Sequence, residues 1–161
     1  MGAAFHAYYA ACAGVAGSLT GLLSVSITMR YDFILGRDAP LRNQAVAVGA
    51  FTSLVNAFSV SLLVLIPQMS PGWPALAAGL VAGYATLRLH LDRGGRRETS
   101  AQTFYISLTI FSVQVAAGLW QVLAKHASAP RDLIAYCVFA SVLNALRRSW
   151  LLLRFDASPA S

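Results

Sequence analysis

The sequence has very few charged residues, and two thirds of those it has are positive. Only 11% of its 161 residues are charged, against 57% hydrophobic residues, and just six residues are acidic. Soluble globular domains carry about 25% charged residues, which keep their surfaces in water. The shortage of charge therefore excludes an ordinary soluble domain and predicts a single integral membrane domain.

No acidic residue lies in the interior of an apolar stretch. The six acids fall in connections, at the ends of stretches or near the C-terminus: Asp32, Asp38, Asp92, Glu98, Asp132 and Asp156. Proton-coupled transport usually needs a titratable relay inside the membrane, and channels for divalent cations usually carry acidic rings. Both functions are disfavoured, whereas anions, small neutral solutes and weakly selective permeation stay compatible with the pattern.

Motifs for catalysis, cofactors or metals are also missing. The sequence contains no G-x-S-x-G, no H-E-x-x-H, no phosphate-binding loop and no C-x-x-C. Its two cysteines, Cys12 and Cys137, are too few for a disulfide framework, although they could pair if their two stretches touch. We therefore expect no enzymatic activity, no cofactor and no metal.

What the sequence does contain is five apolar stretches, each near the 20 or so residues that cross a hydrocarbon core. They are separated by connections rich in proline, glycine or charge, and they cover residues 5–29, 45–66, 74–91, 101–124 and 133–153. The predicted fold is all-α: a helical bundle of five transmembrane helices that forms one domain over residues 1–156. A short, flexible cytoplasmic tail is expected at residues 157–161.

Positive charges are shared unequally among the connections. Three of the 12 Lys and Arg residues lie in the first connection, four lie in the third connection and the end of the stretch before it, and three lie in the C-terminal region that begins at Arg147. Only Lys125 and Arg131 lie elsewhere. Because basic segments stay in the cytoplasm during insertion, an external N-terminus and a cytoplasmic C-terminus are predicted, in a bacterial-type cytoplasmic membrane. The same charges favour anionic lipids on the cytoplasmic face and explain the net charge of +6 without nucleic acid.

Two glycine pairs predict close contacts between helices. Gly17 and Gly21 in the first stretch, and Gly79 and Gly83 in the third, have G-x-x-x-G spacing. Glycines at this spacing let two helix backbones approach closely in a membrane. We expect these positions to pack against other helices, within one chain or in a homo-oligomer.

Polar side chains recur at helical spacing in the second, fourth and fifth stretches. The candidates for a pore or binding site are Thr52, Ser53, Asn56, Ser59, Ser107, Gln114, Gln121, Asn144 and Arg148. Asn56 and Gln114 lie near the middle of their stretches, where an unpaired amide costs on the order of several kcal/mol. They need partners, which are either each other, the same residues in another subunit, or water and ions in a cavity.

These patterns predict an oligomeric membrane channel or permeation protein for ions or small solutes. Its uncharged polar path would be centred on the second and fourth spans, around Asn56 and Gln114. The alternative is a non-transporting membrane subunit or scaffold that binds a partner protein or lipid, in which the polar residues only join helices. Arg148 is expected to extend to the inner membrane interface beside Arg147 and Arg154, although it could face a cytoplasmic vestibule.

Overall fold

Helices are the only regular secondary structure in the part of the chain that the computed structural model describes. That part comprises residues 3–36, 39–67, 69–91, 101–124 and 128–155. It contains six helices: α1 Ala3–Met29, α2 Tyr31–Ile34, α3 Leu41–Val64, α4 Gly72–Leu91, α5 Ala101–Leu123 and α6 Ala129–Phe155. The all-α prediction is confirmed, and the predicted tail at 157–161 lies outside the described residues.

The five long helices coincide with the five apolar stretches. Four of them are long and apolar enough to cross a membrane: Ala3–Met29, Arg42–Val64, Gln102–Leu123 and Ala129–Leu152. The 20-residue α4 is not among these four. The single-turn helix α2 follows α1 directly and was not anticipated from the sequence. The chain is a helical membrane protein with four candidate spans.

Four of the long helices surround a common interior. α3 packs against α4 and α6, and α5 packs against α4 and α6, so that the four form a closed ring. α1 lies outside this ring and packs mainly against α3. A side chain that points to the centre of the ring is therefore shielded from the surroundings by helices on every side.

Apolar packing is concentrated where α1 meets α3 and α6. The largest cluster includes Tyr9, Ala57, Val60 and Val138, all completely or almost completely buried. Two smaller clusters continue this contact along the helices, one around Leu54 and Ala145 and the other around Val46 and Leu152. The apolar core therefore joins α1 to the ring, and it leaves the inside of the ring to other side chains.

Large apolar side chains also cover much of the outer surface. Leu22, Val81, Phe139 and Trp150 are each more than half exposed. Such a surface would be unfavourable in water, but lipid chains offer it an equally apolar environment. The outward-facing residues therefore agree with a bundle that is embedded in a membrane.

Four serine and threonine hydroxyls of α1 need no partner helix. Thr20, Ser24, Ser26 and Thr28 each donate a hydrogen bond of 2.7 to 2.9 Å to the backbone carbonyl four residues earlier. This bonding within one helix satisfies a hydroxyl even in a hydrocarbon environment. These four side chains therefore do not require a polar interior, in contrast to the asparagine and glutamine side chains of α3, α5 and α6.

The predicted packing glycines lie in different surroundings. A Cβ at Gly79 would lie 2.9 Å from the Val115 side chain, and one at Gly17 would lie 3.2 Å from the Phe58 ring. At Gly83 the nearest atom would be 3.9 Å away, and at Gly21 no atom lies within 4 Å. Of these four predicted glycines, Gly79 and Gly17 are therefore the ones that permit close helix contact within one chain.

A close approach of α4 to α5 depends on one glycine from each helix, and neither belongs to the predicted G-x-x-x-G pairs. A Cβ on Gly118 would lie 2.8 Å from the backbone nitrogen of Leu76 and 2.9 Å from the carbonyl oxygen of Gly72. Backbone atoms cannot move aside as a flexible side chain can. Gly72 and Gly118 therefore set the spacing between these two helices, which fixes the position of Gln114 on α5.

Candidate functional site

Buried polar side chains occupy the inside of the helix ring. We call them the polar seam, and all of its members are at most 5% exposed: Ser53, Asn56, Thr103, Ser107, Gln114, Ser141, Asn144 and Arg148. On each helix they are spaced three, four or seven residues apart, which places them on one face of a 3.6-residue helix. The seam therefore consists of inward faces of α3, α5 and α6.

The first layer of the seam is a reciprocal amide pair. The Asn56 amide nitrogen donates to Oε1 of Gln114 at 2.9 Å, and the Gln114 amide nitrogen donates to Oδ1 of Asn56 at 3.0 Å. Gln114 also donates to the Ala75 carbonyl at 3.0 Å, and Asn56 donates to the Ser141 hydroxyl at 3.4 Å. All four ring helices are thereby connected at one level.

The second layer is built around Asn144. Its amide nitrogen donates to the hydroxyl oxygens of Ser53 at 3.2 Å and Ser107 at 2.9 Å. Each serine hydroxyl in turn donates a hydrogen bond to a backbone carbonyl of its own helix: Ser53 to Gly49, and Ser107 to Thr103. The Oδ1 atom of Asn144 is buried and has no hydrogen-bond partner. This layer therefore contains an acceptor that the protein leaves unsatisfied.

The third layer is the guanidinium group of Arg148. One terminal nitrogen donates to the Ser107 hydroxyl at 2.6 Å and to the Thr103 carbonyl at 3.2 Å, while the buried Nε has no partner. Arg148 is only 4% exposed, so the expected extension to the membrane interface is wrong. The guanidinium turns inward because the Ser107 hydroxyl and the Thr103 backbone carbonyl on α5 accept hydrogen bonds from it.

A glycine makes room for this arginine. A Cβ built on Gly49 would coincide with a terminal nitrogen of the Arg148 guanidinium. Any other residue at position 49 would therefore compete with Arg148 for the same space. The neighbouring Arg147 is half-buried and donates to the Thr103 hydroxyl at 3.0 Å, so it does not enter the seam to the same depth.

The positive charge of Arg148 has no acidic counterpart in the described part of the chain. Asp32 and Asp132 are the acids described there, and neither forms an ion pair with Arg148. The adjacent residue, Arg147, carries the same sign of charge. A buried charge without a counterion is costly, and hydrogen bonds to neutral oxygens offset only part of that cost.

The remaining predicted site residues lie beside the seam. Thr52 and Ser59 are half-buried and line an apolar groove of about 440 Å³ between α3 and α4, which also reaches Asn56. Thr52 donates to the Val48 carbonyl at 2.9 Å. Gln121 is 5% exposed and lies against Gly72, seven residues after Gln114 along α5. These three residues are thus near the seam without belonging to its hydrogen-bonded layers.

Three contributors to the site were absent from the predicted set. Thr103 and Ser141 each lie at helical spacing from predicted residues, on the same faces of α5 and α6, so the spacing in the sequence is the signal that indicates them. Gly49 also lies on the same face of α3 as Ser53 and Asn56, but its role depends on where the Arg148 side chain points, which spacing does not reveal. Across the described residues, no three His, Cys, Asp or Glu side chains converge, and both cysteines are free thiols.

Replacement of Gly49 by alanine tests the placement of Arg148. The added methyl group should displace the guanidinium from the seam and lower the free energy of unfolding by roughly 1–3 kcal/mol, as overpacking does. Gly14→Ala is the matched control, because no atom lies within 4 Å of its Cβ position. That control should be neutral or stabilising by roughly 0.5–1 kcal/mol. Equal melting shifts of the two variants in detergent would contradict the placement.

The chain was also compared with known proteins in three ways. No protein-family model, no curated protein and no solved structure matches it. Its function has therefore to be inferred from the polar seam, the surrounding charges and the apolar outer surface.

Proposed function

We propose that the protein is a membrane channel or permeation protein for ions or small solutes, which works as a homo-oligomer and uses the polar seam as its path. The single observation that carries this proposal is the presence of unsatisfied polar atoms inside the seam, Oδ1 of Asn144 and Nε of Arg148. Buried polar atoms in proteins are almost always paired. Two orphans in adjacent layers are the groups that a passing solute or water molecule would bind.

The extent of the polar face on α5 supports a path. Its buried polar residues run from Thr103 to Gln121, a distance of about 27 Å at 1.5 Å per residue. The hydrocarbon core of a bilayer is about 30 Å thick. One helix thus offers polar groups to the ring interior over almost the whole thickness of a membrane. Phe111, which is 2% exposed, is the apolar interruption on this face.

The described conformation is the closed one in this proposal. The amide groups of Asn56 and Gln114 bind each other, and the Phe111 ring lies between the levels of Gln114 and Ser107 along α5. To pass, a solute would take over hydrogen bonds that these side chains now make to one another. Each exchanged bond would cost little, because interhelical hydrogen bonds in membranes contribute about 0.6 kcal/mol on average.

The proposal includes five spans, with the N-terminus outside and the C-terminus in the cytoplasm. α4 is the additional span, since its outer face carries the exposed apolar residues Leu80, Val81 and Tyr84 and its inner face contacts α5. Five spans put ten of the 12 basic residues on one side. That side would face the anionic lipids of a bacterial-type cytoplasmic membrane, which are the expected lipid partners.

A non-transporting membrane subunit or scaffold is the second candidate. It is favoured by the saturation of the amide pair, since Asn56 and Gln114 satisfy each other without water or a ligand. In that case the seam would only hold the helices together, and the apolar outer faces would contact a partner protein or lipid. This function predicts no flux under any condition.

The orientation can be tested with single cysteines in a background in which Cys12 and Cys137 are replaced. An impermeant thiol reagent applied to oriented vesicles should modify Ser70→Cys from the outside. It should modify Gly95→Cys, in the third connection, only from the inside. If both positions react from the same side, α4 does not cross the membrane and the five-span arrangement is wrong.

The permeation path can be tested by making the amide pair apolar on both sides. Asn56→Leu with Gln114→Leu removes both partners, so no unpaired amide remains and the fold should stay within about 1–2 kcal/mol of the natural protein. Flux through liposomes containing the variant should nevertheless fall strongly, because an apolar constriction excludes water. Flux is measured for ions and small neutral solutes.

The matched control is Thr20→Val, which removes a polar group from α1 outside the ring. It should leave both flux and melting temperature almost unchanged. A folded double-leucine variant with undiminished flux would reject the seam as the path. Absence of flux in the natural protein, reconstituted in its oligomeric form, would favour the non-transporting subunit.

A further inference from the structure

A small cavity lies beside Arg148, where the seam meets one end of the ring. Its volume is about 40 Å³, and its walls include Gly49 and Thr52 from α3, Thr86 and His90 from α4, and Arg148 from α6. A cavity needs about 10–15 Å³ to hold one water molecule. This one therefore has room for a single small ion or a few water molecules.

The charge of the cavity is positive and uncompensated within the described residues. Arg148 is 4% exposed, its Nε has no hydrogen-bond partner, and a terminal nitrogen of its guanidinium donates to the neutral oxygens of Thr103 and Ser107. A buried guanidinium keeps its proton, so it cannot avoid the cost of its charge by becoming neutral. A bound anion would remove that cost directly.

The hydrogen-bonding capacity of the walls restricts which anion fits. The hydroxyls of Thr52 and Thr86 already donate to the carbonyls of Val48 and Ala82, at 2.9 and 2.8 Å. They have no proton left for a ligand, so the guanidinium is the main donor. His90 stacks on the Phe104 ring at 4.1 Å, and both residues line the cavity. Phosphate or sulfate needs more donors than this cavity provides, whereas a halide does not.

We propose that this cavity is a binding site for a small monovalent inorganic anion of halide size, held chiefly by Arg148. Gly49 is part of the site because it gives the guanidinium its position. The protein can bind an anion in this cavity whether or not it transports anything. The further conclusion, that small anions are the solutes that permeate, rests on the proposed function.

Chloride binding can be measured directly from the line width of the ³⁵Cl NMR signal with purified protein in detergent. The natural protein should broaden the chloride signal in a saturable manner, and bromide should compete. Gluconate at equal ionic strength should not compete, because it is too large for the cavity. Arg148→Leu should remove nearly all of the excess line width, since it removes the cation.

Two further variants separate the site from general effects of charge and folding. Arg147→Leu removes the same charge one residue away and should retain the broadening. Ala45→Val keeps Arg148 but adds bulk to a buried position that lines the cavity, and it should abolish the broadening in a folded protein. Size-exclusion profiles and helical circular dichroism check the fold of each variant.

The possible outcomes distinguish binding from transport. Equal broadening by the natural protein, Arg148→Leu and Ala45→Val would overturn the anion site, as would broadening that gluconate suppresses equally well. Saturable broadening that only Arg148→Leu and Ala45→Val abolish would establish the site, even if no flux is found in liposomes. Flux without chloride broadening would support permeation and reject the anion site.

Discussion

The fold depends on one constraint: a polar side chain that faces lipid has no partner, so it must bond within its own helix or turn toward other helices. Four serine and threonine side chains of α1 use the first solution, since their hydroxyls donate to carbonyls of the same helix. The ring helices use the second, because amides and a guanidinium are too large and carry too many donors for their own helix to satisfy. The polar seam follows from this, and its layers fix the rotation of α3, α5 and α6 relative to each other.

Small residues make that arrangement sterically possible. Gly49 leaves the space that the Arg148 guanidinium occupies, and Gly118 lets α5 approach the backbone of α4. The approach brings Gln114 within hydrogen-bond distance of both Asn56 and the Ala75 carbonyl. The polar contacts of the seam therefore depend on the glycines, because close contact between backbones allows short side chains to reach across the ring.

Much of this arrangement can be read from the sequence, because helix length and facing depend on local spacing. Hydropathy gave the extents of the five long helices, and the spacing of Asn56 and Gln114 placed both on inward faces. Which residue meets which could not be read, since it depends on the axial offset between helices that are distant in sequence. The predicted direction of the Arg148 side chain was wrong for the same reason. The oxygens that accept its hydrogen bonds belong to Thr103 and Ser107 on α5, and they become apparent only when α5 and α6 are placed together.

The most direct test asks whether the seam becomes wet when solute passes. Ser141→Cys, next to Asn56, places a thiol in the buried first layer of a protein that lacks Cys12 and Cys137. In liposomes that show flux, a small hydrophilic thiol reagent should modify this position and stop the flux. It should have no effect at Val113→Cys, on the outer face of α5. Continued flux with an unmodified thiol at position 141 would contradict a path through the seam.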